Sequence, residues 1–90
     1  MKRIKVLIYG RVQGVSFRAF IKHKAILLNL KGYIKNLSSG KVEAIFEGED
    51  KAIQEIINGC KKGPLASKVT DIKIKEESYK NEFKDFEIRY

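Results

Sequence analysis

Ile4, Val6 and Ile8 alternate with Lys5, Leu7 and Tyr9. This period of two predicts a strand with at least one buried face. The spacing then changes. Phe17, Phe20, Ile21, Ala25 and Leu28 recur at helical intervals and form one apolar stripe, with Lys22 and Lys24 off it. Ser16 is a reasonable N-cap for this helix, and Asn29 and Gly32 mark its exit. Tyr33–Leu37 and Val42–Glu47 read as two short strands joined by Ser38-Ser39-Gly40, which indicates a hairpin. Gly48-Glu49-Asp50 opens a second helix, with acids at the favourable positive end of its dipole. Its stripe is Ala52, Ile53, Ile56, Ile57 and Cys60. Gly63-Pro64 is a turn signal, Val69–Lys75 a fourth strand, and Glu76–Lys84 a polar connection. Phe86, Ile88 and Tyr90 alternate with Glu87 and Arg89 as a short terminal strand.

The order is β-α-β-β-α-β plus a final strand. It predicts an α/β (α+β) fold of the ferredoxin-like, split βαβ kind. Two helices would cover one face of an antiparallel sheet, with a short extra C-terminal strand. Residues 1–90 are expected to form a single domain, and the chain shows no repeat, low-complexity tract or linker. This fold carries many functions, so the order of elements does not choose among them.

Composition narrows the choice. Apolar residues make up 43% of the chain, enough for a core. Cys60 is the only cysteine, which excludes an internal disulfide and suits a cytoplasmic setting. The N-terminus lacks the long apolar stretch of a signal peptide or membrane helix. The net charge of +8 favours anionic partners, but the lysines are spread along the chain, as in a solvated surface. A basic nucleic-acid-binding module on the same fold is the main alternative. It would need paired aromatics in a Lys/Arg-Gly-Phe-Gly-type motif, and neither central strand carries one. No nucleic-acid or membrane partner is expected, and the chain is expected to be a monomer.

The candidate chemistry lies in Gly10-Arg11-Val12-Gln13-Gly14-Val15-Ser16-Phe17-Arg18. Glycines between a strand and a helix let successive backbone N–H groups converge. The helix start adds unpaired N–H groups and a positive dipole end. Together these make a cradle for a phosphate-like anion. Arg18 would sit on the first helical turn, where its planar fork can grip the same anion. The stretch is neither Gly-x-Gly-x-x-Gly nor a nucleotide P-loop, since no Gly-Lys-Ser/Thr follows. Considered singly, Arg18 reads as a surface arginine and Asn36 as a turn residue. His23 reads as a surface or boundary residue, Cys60 as core, and Glu47, Glu49 and Asp50 as helix-opening acids. No metal site is apparent.

Taken as literal residues, this stretch resembles the acylphosphatase signature Gly-Arg-Val-Gln-Gly-Val-x-Phe-Arg. Gly32-Tyr33-Ile34-Lys35-Asn36-Leu37-Ser38-Ser39-Gly40-Lys41-Val42-Glu43 is similar to that family's second pattern, Gly-x-Val-x-Asn-x-x-x-Gly-x-Val-Glu, with Ile34 in place of Val. Gly63-Pro64, Ser67-Lys68-Val69 and the ending Phe86–Tyr90 are also similar. The resemblance runs from about Ile4 to Tyr90, which favours a stand-alone enzyme over a fragment of a larger maturation factor. It implies a cofactor-free and metal-free hydrolase of the carboxyl–phosphate bond of acyl phosphates. Arg18 and Asn36 would be the catalytic pair. The backbone N–H groups of Gln13, Gly14, Val15, Ser16, Phe17 and Arg18 would bind the phosphoryl oxygens, and inorganic phosphate or sulfate would compete. The presence of both Arg18 and Asn36 argues against a catalytically idle relative. Glu43 belongs to the second pattern without an evident chemical role; a strand or hairpin contact is expected.

Overall fold

The computed structural model describes residues 1–90. Its elements are β1 (Lys2–Arg11), α1 (Val15–Leu27), β2 (Lys31–Asn36), β3 (Val42–Gly48), α2 (Asp50–Lys62), β4 (Lys68–Glu77) and β5 (Phe86–Arg89). The five strands form one sheet in the order β4-β1-β3-β2-β5. Pairs β1–β3, β1–β4 and β2–β3 are antiparallel, whereas β5 runs parallel to β2. The sheet is therefore mixed. The four strands of the split βαβ unit pair antiparallel as expected, and the added strand β5 is the parallel one, returning along β2 after the long Ser78-to-Asp85 connection.

The alternation read in β1 corresponds to real burial. Ile4, Val6 and Ile8 are buried, and their in-register neighbours Phe46, Ala44 and Val42 on β3 join them. Phe17, Ile21 and Ala25 of α1 and Ile53, Ile56, Ile57 and Cys60 of α2 pack on that same layer of side chains. Phe20, Leu28 and Ala52 flank it, half-buried. Both apolar stripes thus meet one face of the sheet, as their periodicity requires. Phe46 and Phe86 stack at 5.3 Å between ring centroids and tie β5 into the core.

Two boundaries differ from those read in the sequence. Ser16 is not the cap of α1. Gly14 occupies that position with φ 112°, and no side chain caps the helix. The first-turn N–H groups thus receive no cap from a side chain, and the backbone turn at Gly14 sets the helix start. At the other end, Asn29 terminates the helix in the left-handed region at φ 58°, while Gly32 lies inside β2. Asn tolerates that conformation better than most residues.

Opposite the helices, the sheet face is charged, and its one deeply buried ion pair is Arg3–Glu47 at 3.1 Å. Arg3 also donates to Glu77 at 2.9 Å and to Glu82. The Lys80 and Asn81 N–H groups donate to Glu47 Oε2 at 2.9 and 3.2 Å. This network fastens the polar connection between β4 and β5 to β1 and β3. Burial opposes the Arg3 charge, but the three carboxylates more than compensate and raise its pKa. Burial likewise opposes ionisation of Glu47, yet the Lys80 N–H and Arg3 hold its carboxyl below the usual range. Glu43 takes part in a smaller group of the same kind. Tyr33 Oη donates to it at 2.8 Å, and Lys5 and Lys35 lie at 3.4 and 3.9 Å. The expected strand contact for Glu43 is therefore present. Burial, then the bond to Glu43, push the Tyr33 hydroxyl up to about 12.

Candidate active site

Two glycines shape the loop after β1, for different reasons. At Gly10 the β1–β4 register shifts, and φ is 124°. A Cβ there would collide with the Lys68 carbonyl oxygen and crowd the Thr70 N–H. At Gly14 nothing lies within 4 Å of an added Cβ, so the requirement is purely conformational, with φ 112°. Between them Val12 is buried and anchors the loop, while Gln13 and Gly14 are exposed. The chain then enters α1 with Val15 and Ser16 exposed and Phe17 buried. The first turn of α1 contains no acidic residue that would oppose an anion.

Arg18 points inward. It shares the buried stripe with Phe17, Ile21 and Ala25, and only 7% of it is exposed. Its Nε is buried without a protein partner, and its guanidinium lies 5.0 Å from the centroid of the Tyr90 ring. A buried guanidinium with a free donor is costly on its own, and the π-face of Tyr90 supplies part of the compensation.

Asn36 approaches from the sheet. It is the last residue of β2 and lies opposite Val42 of β3, which itself pairs with Ile8 of β1. Alternation along β2 puts Asn36 on the same face as Ile34, which is wholly buried beneath the helices. Its side chain therefore projects toward the α1 layer, the layer from which Arg18 projects back. Asn36 Oδ1 is buried and has no protein partner. Tyr90 directly follows the Lys35–Arg89 pair of the parallel β2–β5 ladder, so one residue connects the Asn36 end of β2 with Arg18.

The loop and the hairpin are also joined directly. Gln13 Nε2 donates to the Leu37 carbonyl at 2.6 Å and to the Lys41 carbonyl at 3.2 Å. The arrangement thus gathers a helix N-terminus, an unpartnered guanidinium N–H and an unpartnered amide oxygen at one end of the sheet. A helix N-terminus and a guanidinium donor at one end of a sheet suit a multiply charged oxyanion, and an amide oxygen at the same end suits a water molecule.

The side chain of Gln13 and the aromatic ring of Tyr90 are not legible as site elements in the sequence. The motif assigns Gln13 a role through its backbone alone. Tyr90 has no local signal, because its placement depends on the parallel register of β5. His23 is exposed on α1 and Cys60 is buried, as expected, with burial pushing its thiol up to about 12. Glu47, expected to help open the second helix, instead lies inside β3, buried against Arg3, because its partner comes from β1 rather than from the helix end. No group of three His, Cys, Asp or Glu residues is arranged to hold a metal ion. No helix is long and apolar enough to cross a membrane.

The sheet's open face is no free stacking platform for bases. Tyr33 is engaged by Glu43, by Arg89 at 4.3 Å from its ring and by Phe83, while Lys41 and Lys73 flank Tyr9.

The acylphosphatase family model matches residues 4–88. The chain is 45% identical to an acylphosphatase of Aeropyrum pernix over 89 residues, spanning 98% of this chain and 88% of that one. Among solved structures it is similar to the acylphosphatase of Bacillus subtilis, with a TM-score of 0.95, 38% identity and full coverage of both chains. It is also similar to an acylphosphatase of Coxiella burnetii, with a TM-score of 0.91, 35% identity and coverage of 98% and 92%. The chain belongs to the acylphosphatase family.

Proposed function

We propose that this chain hydrolyses the carboxyl–phosphate bond of acyl phosphates, releasing a carboxylate and inorganic phosphate. The observation that carries this reading is that two polar atoms at this end of the sheet, Arg18 Nε and Asn36 Oδ1, are buried and have no protein partner. One is a donor suited to a phosphoryl oxygen, the other an acceptor suited to water.

The chemistry demands little more. The leaving carboxylate has a conjugate acid of pKa about 4 and departs without protonation, so no general acid is required. The task reduces to holding the phosphoryl group and aiming a water in line with the leaving oxygen. The N–H groups from Gln13 to Arg18 and the Arg18 guanidinium bind the phosphoryl oxygens and stabilise charge as it shifts toward the leaving group. Asn36 accepts a hydrogen bond from the attacking water. It is too weak a base to deprotonate that water, so its role is orientation. No metal enters the sequence of steps. Inorganic phosphate and sulfate compete, because each fits the same convergent donors. A small anionic substrate and a lone, buried cysteine suit action as a monomer in the cytoplasm.

The test is hydrolysis of benzoyl phosphate in the presence of EDTA, beside a phosphate monoester of similar size. Turnover of the first without the second is expected, since a phenolate or alkoxide leaves far less readily than a carboxylate. Absence of benzoyl phosphate turnover, or its loss on chelation, would overturn the reading.

A further inference from the structure

Gln13 sits in the cradle loop, but its side chain is committed elsewhere. The two carbonyls it contacts, of Leu37 and Lys41, are also the acceptors that close the β2–β3 turn. The Leu37 N–H donates to the Lys41 carbonyl at 2.9 Å, and the Gly40 N–H to the Leu37 carbonyl at 3.1 Å. One amide group therefore grips both oxygens that define the closed turn. The residue directly before this turn is Asn36.

We propose that Gln13 is a positioning residue: its side chain clamps the β2–β3 turn against the loop after β1 and so fixes the Asn36 amide relative to the anion cradle. This rests on the reading of Asn36 as the residue that orients water. Asn36 Oδ1 makes no hydrogen bond to protein, so its placement depends on where the end of β2 is held. The sheet brings the end of β2 near the end of β1 through Val42, which pairs with both Asn36 and Ile8; the clamp adds a direct tie at the turn beyond that ladder. Gln13 bridges 24 residues to Leu37 and 28 to Lys41, linking the loop after β1 to the turn that lies past the last pair of the β2–β3 ladder. Gln13 is itself exposed, so the fold gains little from burying it. The effect of its removal is expected in geometry, and small displacements of a catalytic group are costly in rate.

The experiment is a double-mutant cycle on kcat for benzoyl phosphate, with phosphate affinity measured alongside by calorimetry. Gln13→Met keeps an unbranched stem and removes the donor; Gln13→Lys keeps a donor that reaches the carbonyls. Gln13→Met is expected to lower kcat about tenfold or more while phosphate affinity changes less than about twofold. Gln13→Lys is expected to restore most of the kcat. In an Asn36→Ala background, Gln13→Met is expected to have no further effect, because the group it positions is gone. Where residual turnover is too low for that comparison, the Asn36 side-chain amide resonances decide, and they should shift in Gln13→Met. Three outcomes would overturn the inference: multiplicative losses in the double variant, phosphate affinity falling in step with kcat, or unmoved Asn36 resonances. If Asn36→Ala alone keeps full turnover, the water-orienting reading fails first and takes this inference with it. If Asn36→Ala loses turnover and the Gln13 effect multiplies, only the clamp is wrong.

Discussion

Replacing Arg18 with methionine separates what that residue does for the reaction from what it does for the fold. Arg18 is 7% exposed, and its Nε has no protein partner. An unsatisfied buried polar group costs about 1–3 kcal/mol, and more when charged. The contact with the exposed Tyr90 ring at 5.0 Å returns about 0.5–1 kcal/mol. Methionine fills similar space, has no polar atom to satisfy and packs well against an aromatic ring. Arg18→Met is therefore expected to leave stability unchanged or raise it by about 1 kcal/mol, a gain of roughly 4–8 °C in Tm for a domain of this size. Turnover should fall by on the order of 10²–10³, the usual consequence of removing a donor that stabilises transferring charge. Phosphate sharpens the contrast. At 100 times its Kd it stabilises a protein that binds it by about 2.7 kcal/mol, an increment expected for the wild type and absent from the variant. Urea unfolding with and without phosphate, beside benzoyl phosphate turnover, reads all three quantities. A loss of about 2 kcal/mol or more in phosphate-free buffer would show that Arg18 is a structural residue and refute the reasoning.

Other expectations follow from the same structure. The Cys60 thiol should resist alkylating reagents at pH 8 in native protein and react once urea unfolds it, since burial pushes its pKa up to about 12. Glu47 and Glu77 are both held below the ordinary carboxylate range, Glu77 chiefly by Arg3. Their contribution to stability is full above their unfolded pKa of about 4.5 and is lost as pH falls through the lower folded values. Glu47→Gln should therefore lower stability at pH 7 by about 1.5–3 kcal/mol, because Arg3 keeps Glu77 and Glu82, and should flatten its decline in acid, as measured by urea titrations from about pH 7 to about pH 2.5. His23→Ala should leave the rate and its pH profile unaltered, because His23 is exposed and lies off the buried stripe that carries Arg18. Asn36→Asp should weaken phosphate binding as well as turnover, by placing a negative charge beside an anion.

The parts of the fold legible in the sequence are those set by periodicity over short stretches. Ile4, Val6 and Ile8 declare β1, and Ile53, Ile56, Ile57 and Cys60 declare the inner face of α2, because burial repeats with the geometry of the element itself. The direction of β5 is not legible. Phe86 and Ile88 alternate identically in a parallel or an antiparallel ladder, and only the path from Ser78 to Asp85 decides. Ser16 misleads as a cap of α1 because it has the right chemistry at a position already inside the helix; Gly14 is selected by its φ of 112°. Within the candidate site, Arg18 and Asn36 are legible through the two motifs that contain them. The Gln13 clamp and the Tyr90 ring against Arg18 depend on register between distant segments, as does the Arg3–Glu47 network. No pattern along the chain reports such contacts.

Calorimetry of inorganic phosphate binding, paired with kcat, on wild type, Arg18→Ala and Asn36→Ala tests the division of labour between the two residues most directly. Arg18→Ala should lose phosphate affinity and turnover together. Asn36→Ala should keep phosphate affinity near the wild-type value while kcat falls by on the order of 10² or more. Loss of phosphate binding in Asn36→Ala as complete as in Arg18→Ala would contradict the account, for Asn36 would then hold the phosphoryl group rather than aim the water.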